Sequence, residues 1–66
     1  MFTVNVVRFL ENVNYSSFEN LEDAVCFAIE GILDNEFAFI NIKDEKQNTV
    51  INGTEELINT YEKMEG

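Results

Sequence analysis

From Phe2 to Val6 the chain alternates apolar and polar positions, with Phe2, Val4 and Val6 set against Thr3 and Asn5. A strand with one buried face has this period of two, so residues 2–10 are expected to form one. Beyond Val6 the second face also gains Val7 and Phe9, which suggests cover on both sides. Residues 11–19 are rich in Asn and Ser, whose side chains bond their own backbone and favour turns. A connecting loop is expected there. At Asn20 the period changes, because Leu21, Ala24, Val25, Ala28 and Ile32 recur every three or four residues, as on one face of a helix. Asn20 is the expected N-cap, and Glu22 and Asp23 fall in the first turn, where free N–H groups favour carboxylates. The helical pattern ends around residues 34–35. Period two then returns over residues 37–43, with Ala38, Ile40 and Ile42 against Phe37, Phe39 and Asn41. Past the polar stretch 44–47, residues 48–51 read as the second strand of a hairpin. Thr54 is the expected cap of a short last helix carrying Leu57, Ile58, Tyr61 and Met64 on one side.

This order, βαββα, predicts an α+β fold in a single small domain over residues 1–66. The sheet is expected to be three-stranded and mixed: strands 2–10 and 37–43 parallel through a right-handed crossover, and 48–51 antiparallel to 37–43. No proline, low-complexity run or internal repeat marks a boundary. A chain of 66 residues buries only about 60% of the surface its unfolded form exposes, so a further stabilising device is expected. Cys26 is the single cysteine and histidine is absent, which leaves no disulfide and no zinc ligand set. Oligomerisation remains. The predicted first helix carries more apolar surface than one small sheet can cover, with Cys26, Phe27, Ile29 and Leu33 away from the centre of its inward stripe. Phe37 and Phe39 point to the sheet face opposite Ile40 and Ile42 on this reading. Cys26, Phe27, Leu33, Phe37 and Phe39 are therefore the expected self-association surface of a homodimer; the alternative is that the last helix packs over the two phenylalanines.

Charge narrows the partners. Thirteen acids against four bases give a net charge of −9, which argues against direct binding to nucleic acid or an anionic membrane and favours a basic partner. Between Arg8 and Lys43 lie seven acids and no base. On a helix Asp23, Glu30 and Asp34 fall within about 40° of one another, opposite Leu21 and Val25, with Glu19 near the same line before the cap. Their axial separations of about 10 and 6 Å are of the order of phosphate spacing along a nucleic-acid strand. The stripe could thus imitate DNA before the basic groove of a nucleic-acid-binding protein. The plainer alternative is a solvated helix face that favours solubility.

Catalysis is not expected. Cys26 has only apolar and acidic sequence neighbours and no histidine to activate it. The pairs Glu22/Asp23 and Glu55/Glu56 occupy first turns, where capping accounts for them. Residues 44–48 lack the alternating ligands and the glycine of a calcium loop. No metal or cofactor is expected. The N-terminal residues show no basic segment followed by an apolar run, which suggests a cytoplasmic protein. With nine Asn, ten Glu, no Pro and no Trp, the chain resembles in composition the short acidic proteins of bacteriophages and mobile elements of low-GC bacteria. That resemblance implies an inhibitor of a host defence protein that acts by occupying its surface; the helix geometry makes Glu19, Asp23, Glu30 and Asp34 the residues expected to face a basic groove. The alternative is a small structural or assembly homodimer with no inhibitory role.

Overall fold

A computed structural model describes residues 1–8 and 13–65 of the chain. Its first hairpin joins β1 (Phe2–Arg8) to β2 (Val13–Phe18), followed by α1 (Leu21–Leu33). A second hairpin, β3 (Phe37–Lys43) and β4 (Thr49–Asn52), is followed by α2 (Gly53–Glu65). The order is therefore ββαββα, with strand–strand–helix run through twice, and the four strands form one antiparallel sheet in the order β2-β1-β3-β4.

Two sequence expectations are corrected here. Residues 13–18, expected within a loop, pair along their whole length with β1, from Phe2 opposite Phe18 to Val7 opposite Val13. Asn and Ser favour turns locally, but cross-strand pairing against an existing strand overrides that weak preference. The extra strand also reverses the chain before α1, so β3 enters the sheet antiparallel to β1 and no parallel crossover is needed. The rest of the expected loop and of the first strand, residues 9–12, lies outside the described residues.

The second correction concerns which side of β3 faces the core. Asn5 pairs with Asn41 but the next residue, Val6, pairs with Phe39, so Ile40 is an extra residue in a β-bulge, which shifts the side-chain alternation by one position. Phe37 and Phe39 before the bulge and Ile42 after it thus share the covered face, and all three are buried. Strict alternation would have placed the phenylalanines on the opposite side. Ala38 is exposed instead. A second irregularity between Ile42 and Lys43 in the β3–β4 pairing lets Ile51 meet Ile42 while Thr49 meets Lys43.

Both helices pack on this face of the sheet and against each other: α1 lies over β1, β2 and β3, and α2 over β3 and β4. Ala24, Val25, Ala28 and Ile29 of α1 and Leu57 of α2 meet Val4, Val6, Phe37, Phe39, Ile42 and Ile51 in one core. Ile29, expected off the inward stripe, is buried, whereas Leu21 and Ile32 are only partly covered. The inward face of α1 is thus turned slightly from the predicted one. At its C-terminus Asn35 adopts a left-handed conformation (φ 58°). The N–H of Glu36 bonds the Gly31 carbonyl at 2.9 Å, and that of Asn35 the Ile32 carbonyl at 3.1 Å. These are the two bonds of a Schellman motif, with Asn in the position glycine usually takes. Helix α2 begins at Gly53 (φ 87°) rather than at a Thr54 cap, and the Glu56 carboxylate accepts the Asn52 N–H.

The β3–β4 hairpin closes on Asp44. Its carboxylate accepts the N–H groups of Lys46 and Asn48, each at 2.9 Å, while its carbonyl accepts the Gln47 N–H. These bonds favour the ionised form: the Asn48 N–H has the largest effect, desolvation opposes it, and the Lys46 N–H adds to it, so the carboxyl is held below its ordinary range. A depressed folded-state value means that the carboxylate stabilises the fold fully above the ordinary carboxylate pKa, about 3.9, and loses that contribution as pH falls through the lower folded value. An Asp44→Ala variant should therefore unfold at lower urea concentration than the native chain at pH 7, and the gap should narrow as pH is lowered towards about 2. A gap independent of pH would remove the charge from this account.

Candidate functional site

The fold separates charge by layer. No strand contains an Asp or Glu; the acids described lie on the helices, at their ends and in the 44–48 turn. Helix α1 exposes Glu22, Asp23 and Glu30, and α2 exposes Glu55, Glu56, Glu62 and Glu65. Among the described residues the ion pair present is that of the N-terminal amine with Glu45, 3.2 Å apart and exposed at both ends. Pairs of this kind contribute about 0–1 kcal/mol. Among the described residues no ion pair engages the carboxylates of the helix layer.

The four predicted partner-binding residues are exposed, as an interaction surface requires. Asp23 and Glu30 lie in α1, whose helical geometry keeps their axial spacing near 10 Å. Glu19 stands before the helix, and Asp34 is its C-cap. Asn20 occupies the N-cap position with extended backbone, yet its oxygen caps no N–H; its amide donates to the Asp23 carboxylate at 3.3 Å. That contact positions one member of the stripe. The opposite end is less favourable, since α1 has no base in its last turn and Glu30 and Asp34 meet the negative end of the helix dipole, at about 0.3–1 kcal/mol each.

The predicted self-association residues do not form one surface. Phe39 and Phe37 are 8% and 3% exposed and belong to the core, because the bulge at Ile40 turned them towards the helices. Phe27 is half-buried within a run of rings: its centroid is 5.1 Å from that of Phe18 and 5.4 Å from that of Phe37. The Arg8 guanidinium carbon lies 5.7 Å from the Phe37 centroid, a favourable cation–π placement. Leu33 alone of the five projects freely, at 76% exposure. Cys26 is half-buried. Partial burial, followed by the carboxylates of Glu22, Glu65, Glu30 and Asp23, pushes its thiol above the ordinary value. A thiol so disposed holds little thiolate at neutral pH and is a poor nucleophile. No three His, Cys, Asp or Glu side chains among the described residues are grouped as a metal site needs.

The second face of β1, expected to be covered from Val7 onward, is open instead, with Val7 37% exposed. Val7 pairs with Val13 on one side and Ala38 on the other, and Asn5 pairs with Tyr15 and Asn41. The Asn5 amide donates to the Asn41 side-chain oxygen at 2.8 Å, at the centre of a face with Tyr15 73% and Val13 60% exposed. The alternation of Val13 and Tyr15 with Asn14 and Ser16 was the signal available for it. No described helix is long and apolar enough to cross a membrane. Comparison with known proteins finds no family model, no curated relative and no solved structure that matches this chain.

Proposed function

We propose that this chain is a non-enzymatic protein-binding module whose acidic helix layer engages a basic surface on its partner, of the kind nucleic-acid-binding proteins present, and inhibits that partner by occupying the surface. The observation that carries this reading is the carboxylate row Asp23, Glu30 and Asp34, exposed along and beyond α1 with no base in the last turn. Solubility alone would be served by acids at any exposed position. Here two of them stand where the helix dipole disfavours them, and placement at a local cost points to a use for their charge. Binding of this type needs no pocket and no tuned acid or base, and its rate of association gains from complementary fields.

The reading is tested by reversing three charges. The variant Asp23→Lys/Glu30→Lys/Asp34→Lys changes net charge from −9 to −3, two units at each position. Affinity capture on the immobilised native chain, from an extract of the cells that produce it, should retain a basic protein that elutes with salt. The purified partner should bind the variant about 10- to 100-fold more weakly, for a loss of roughly 0.5–1 kcal/mol per reversed charge, and with shallower salt dependence. Equal binding of both proteins, with circular dichroism showing both folded, would exclude the stripe as the binding surface.

A further inference from the structure

The open face of the sheet carries exposed apolar side chains that the chain itself leaves uncovered. Val13, Val7 and Ala38 run across three strands as cross-strand neighbours, and Tyr15 stands beside them. The same face has no acid, in a chain of net charge −9. We propose that this chain forms a two-fold dimer through the open face of its sheet, Tyr15, Val7 and Val13 of each copy packing on the other and the two Asn5–Asn41 pairs meeting near the centre.

Charge selects the occupant. A basic protein would be drawn to the acidic helix layer, and an acidic protein or a nucleic acid would be repelled by the chain as a whole. A second copy is repelled as well, unless it approaches with its acids turned away. Face-to-face packing meets that condition. Sheets pack about 10 Å apart and each helix layer lies a further 10 Å or so outward, so the two acidic layers stand on the order of 30 Å apart. That is about three Debye lengths at 0.1 M salt. The competing arrangement, edge-to-edge pairing of β2 with its copy, would add a strand at about 4.8 Å. Since α1 lies over β2, β1 and β3, about one strand in from the β2 edge, the two copies of α1 would then stand about three strand spacings apart, some 14 Å. Their carboxylates would face one another across about one and a half Debye lengths. The face is favoured over the edge.

The area suffices. Four strands at about 4.8 Å spacing, with up to seven residues at about 3.3 Å, present a surface on the order of 20 by 23 Å. Side-chain relief raises its accessible area towards the roughly 600 Å² per partner of the smaller specific interfaces. Two-fold symmetry makes the contact self-complementary and closes it at two copies.

Sedimentation equilibrium from about 1 to 500 µM protein tests the proposal, at 20 mM and at 500 mM salt. The native chain should rise with concentration from 7.6 kDa to twice that mass, and more readily at high salt, because screening relieves the net repulsion. Tyr15→Lys and, independently, Val13→Lys should each weaken the dimer at least tenfold while far-ultraviolet circular dichroism stays native. Both positions are more than half exposed, so the fold accommodates them. Each also lowers the net negative charge, so a general charge effect would strengthen association. Leu33→Lys, exposed on the helix layer, should dimerise as the native chain does. A monomer throughout would overturn the proposal and leave the face to a protein of different sequence. A dimer unaffected by both sheet-face variants, or one lost in Leu33→Lys, would place the contact elsewhere and overturn it equally.

Discussion

Replacing Leu57 with alanine should cost about 2–5 kcal/mol, whereas the same truncation one residue later, at Ile58, should cost less than about 1 kcal/mol. The two residues are both large and apolar and both lie on the stripe predicted for the last helix. The structure treats them differently: Leu57 is 0% exposed and Ile58 43%. Leu57 is the one buried residue of α2, with Tyr61 only partly packed on the core. Removing its side chain therefore empties the contact that docks the whole helix on β3, β4 and α1. A domain of this length has a total stability of about 3–10 kcal/mol, so the loss is a large share of what holds it folded. Each kcal/mol corresponds to roughly 4–8 °C in a domain of this size. Thermal unfolding followed by circular dichroism should place the Leu57→Ala midpoint at least about 10 °C below the native one, with Ile58→Ala within a few degrees of it. Equal shifts in the two variants would show that α2 is held by its apolar stripe as a whole rather than by one side chain.

The contrast shows which features of the molecule a linear pattern can carry. Helix α1 was legible because a stripe of several apolar residues, an N-cap position and a first turn of acids all agree, and its observed span, Leu21–Leu33, matches the expected one within two residues. Strand β3 was legible too, from Phe37 to Lys43. Its inward face was not, because a β-bulge depends on how the neighbouring strand registers, and nothing in Phe39-Ile40-Asn41 marks Ile40 as the extra residue. Strand β2 was missed for a different reason. As an edge strand open on one face it needs few apolar residues, and Asn14, Ser16 and Ser17 resemble a loop until β1 lies beside them. That omission changed the sheet from mixed to antiparallel, since the direction of β3 follows from whether the chain has already turned back. The acidic row was legible as a helix face, because exposure follows from the position of the apolar stripe alone. The open sheet face was not, since it exists only once four strands, rather than three, are in register.

Gly31 is the position where the smallest change should have a disproportionate effect. In the interior of a helix, exchange of glycine for alanine ordinarily gains up to about 1 kcal/mol, from the lower backbone entropy of the unfolded chain and better helix propensity. Here a Cβ would stand 2.0 Å from Cζ of Phe37, 2.2 Å from Cε2 and 2.7 Å from Cε1. These are far inside van der Waals contact, so the Phe37 ring must move. It has little room to do so: Phe37 is 3% exposed, Phe27 packs on it, and Arg8 lies over it. Moving it gives up both contacts, and overpacking of this kind costs about 1–3 kcal/mol or more. Steric cost should therefore outweigh propensity, and Gly31→Ala should lower the urea midpoint despite being a favourable helix substitution elsewhere. The cause can be isolated with Phe37→Leu, whose shorter side chain vacates the space the new methyl needs. If the ring is the obstacle, Gly31→Ala will cost less in the Phe37→Leu background than in the native one, with a coupling of about 0.5–3 kcal/mol as expected for residues in direct contact. Additive losses would mean that the methyl is accommodated without displacing Phe37, and that the absence of a side chain at position 31 has no steric role.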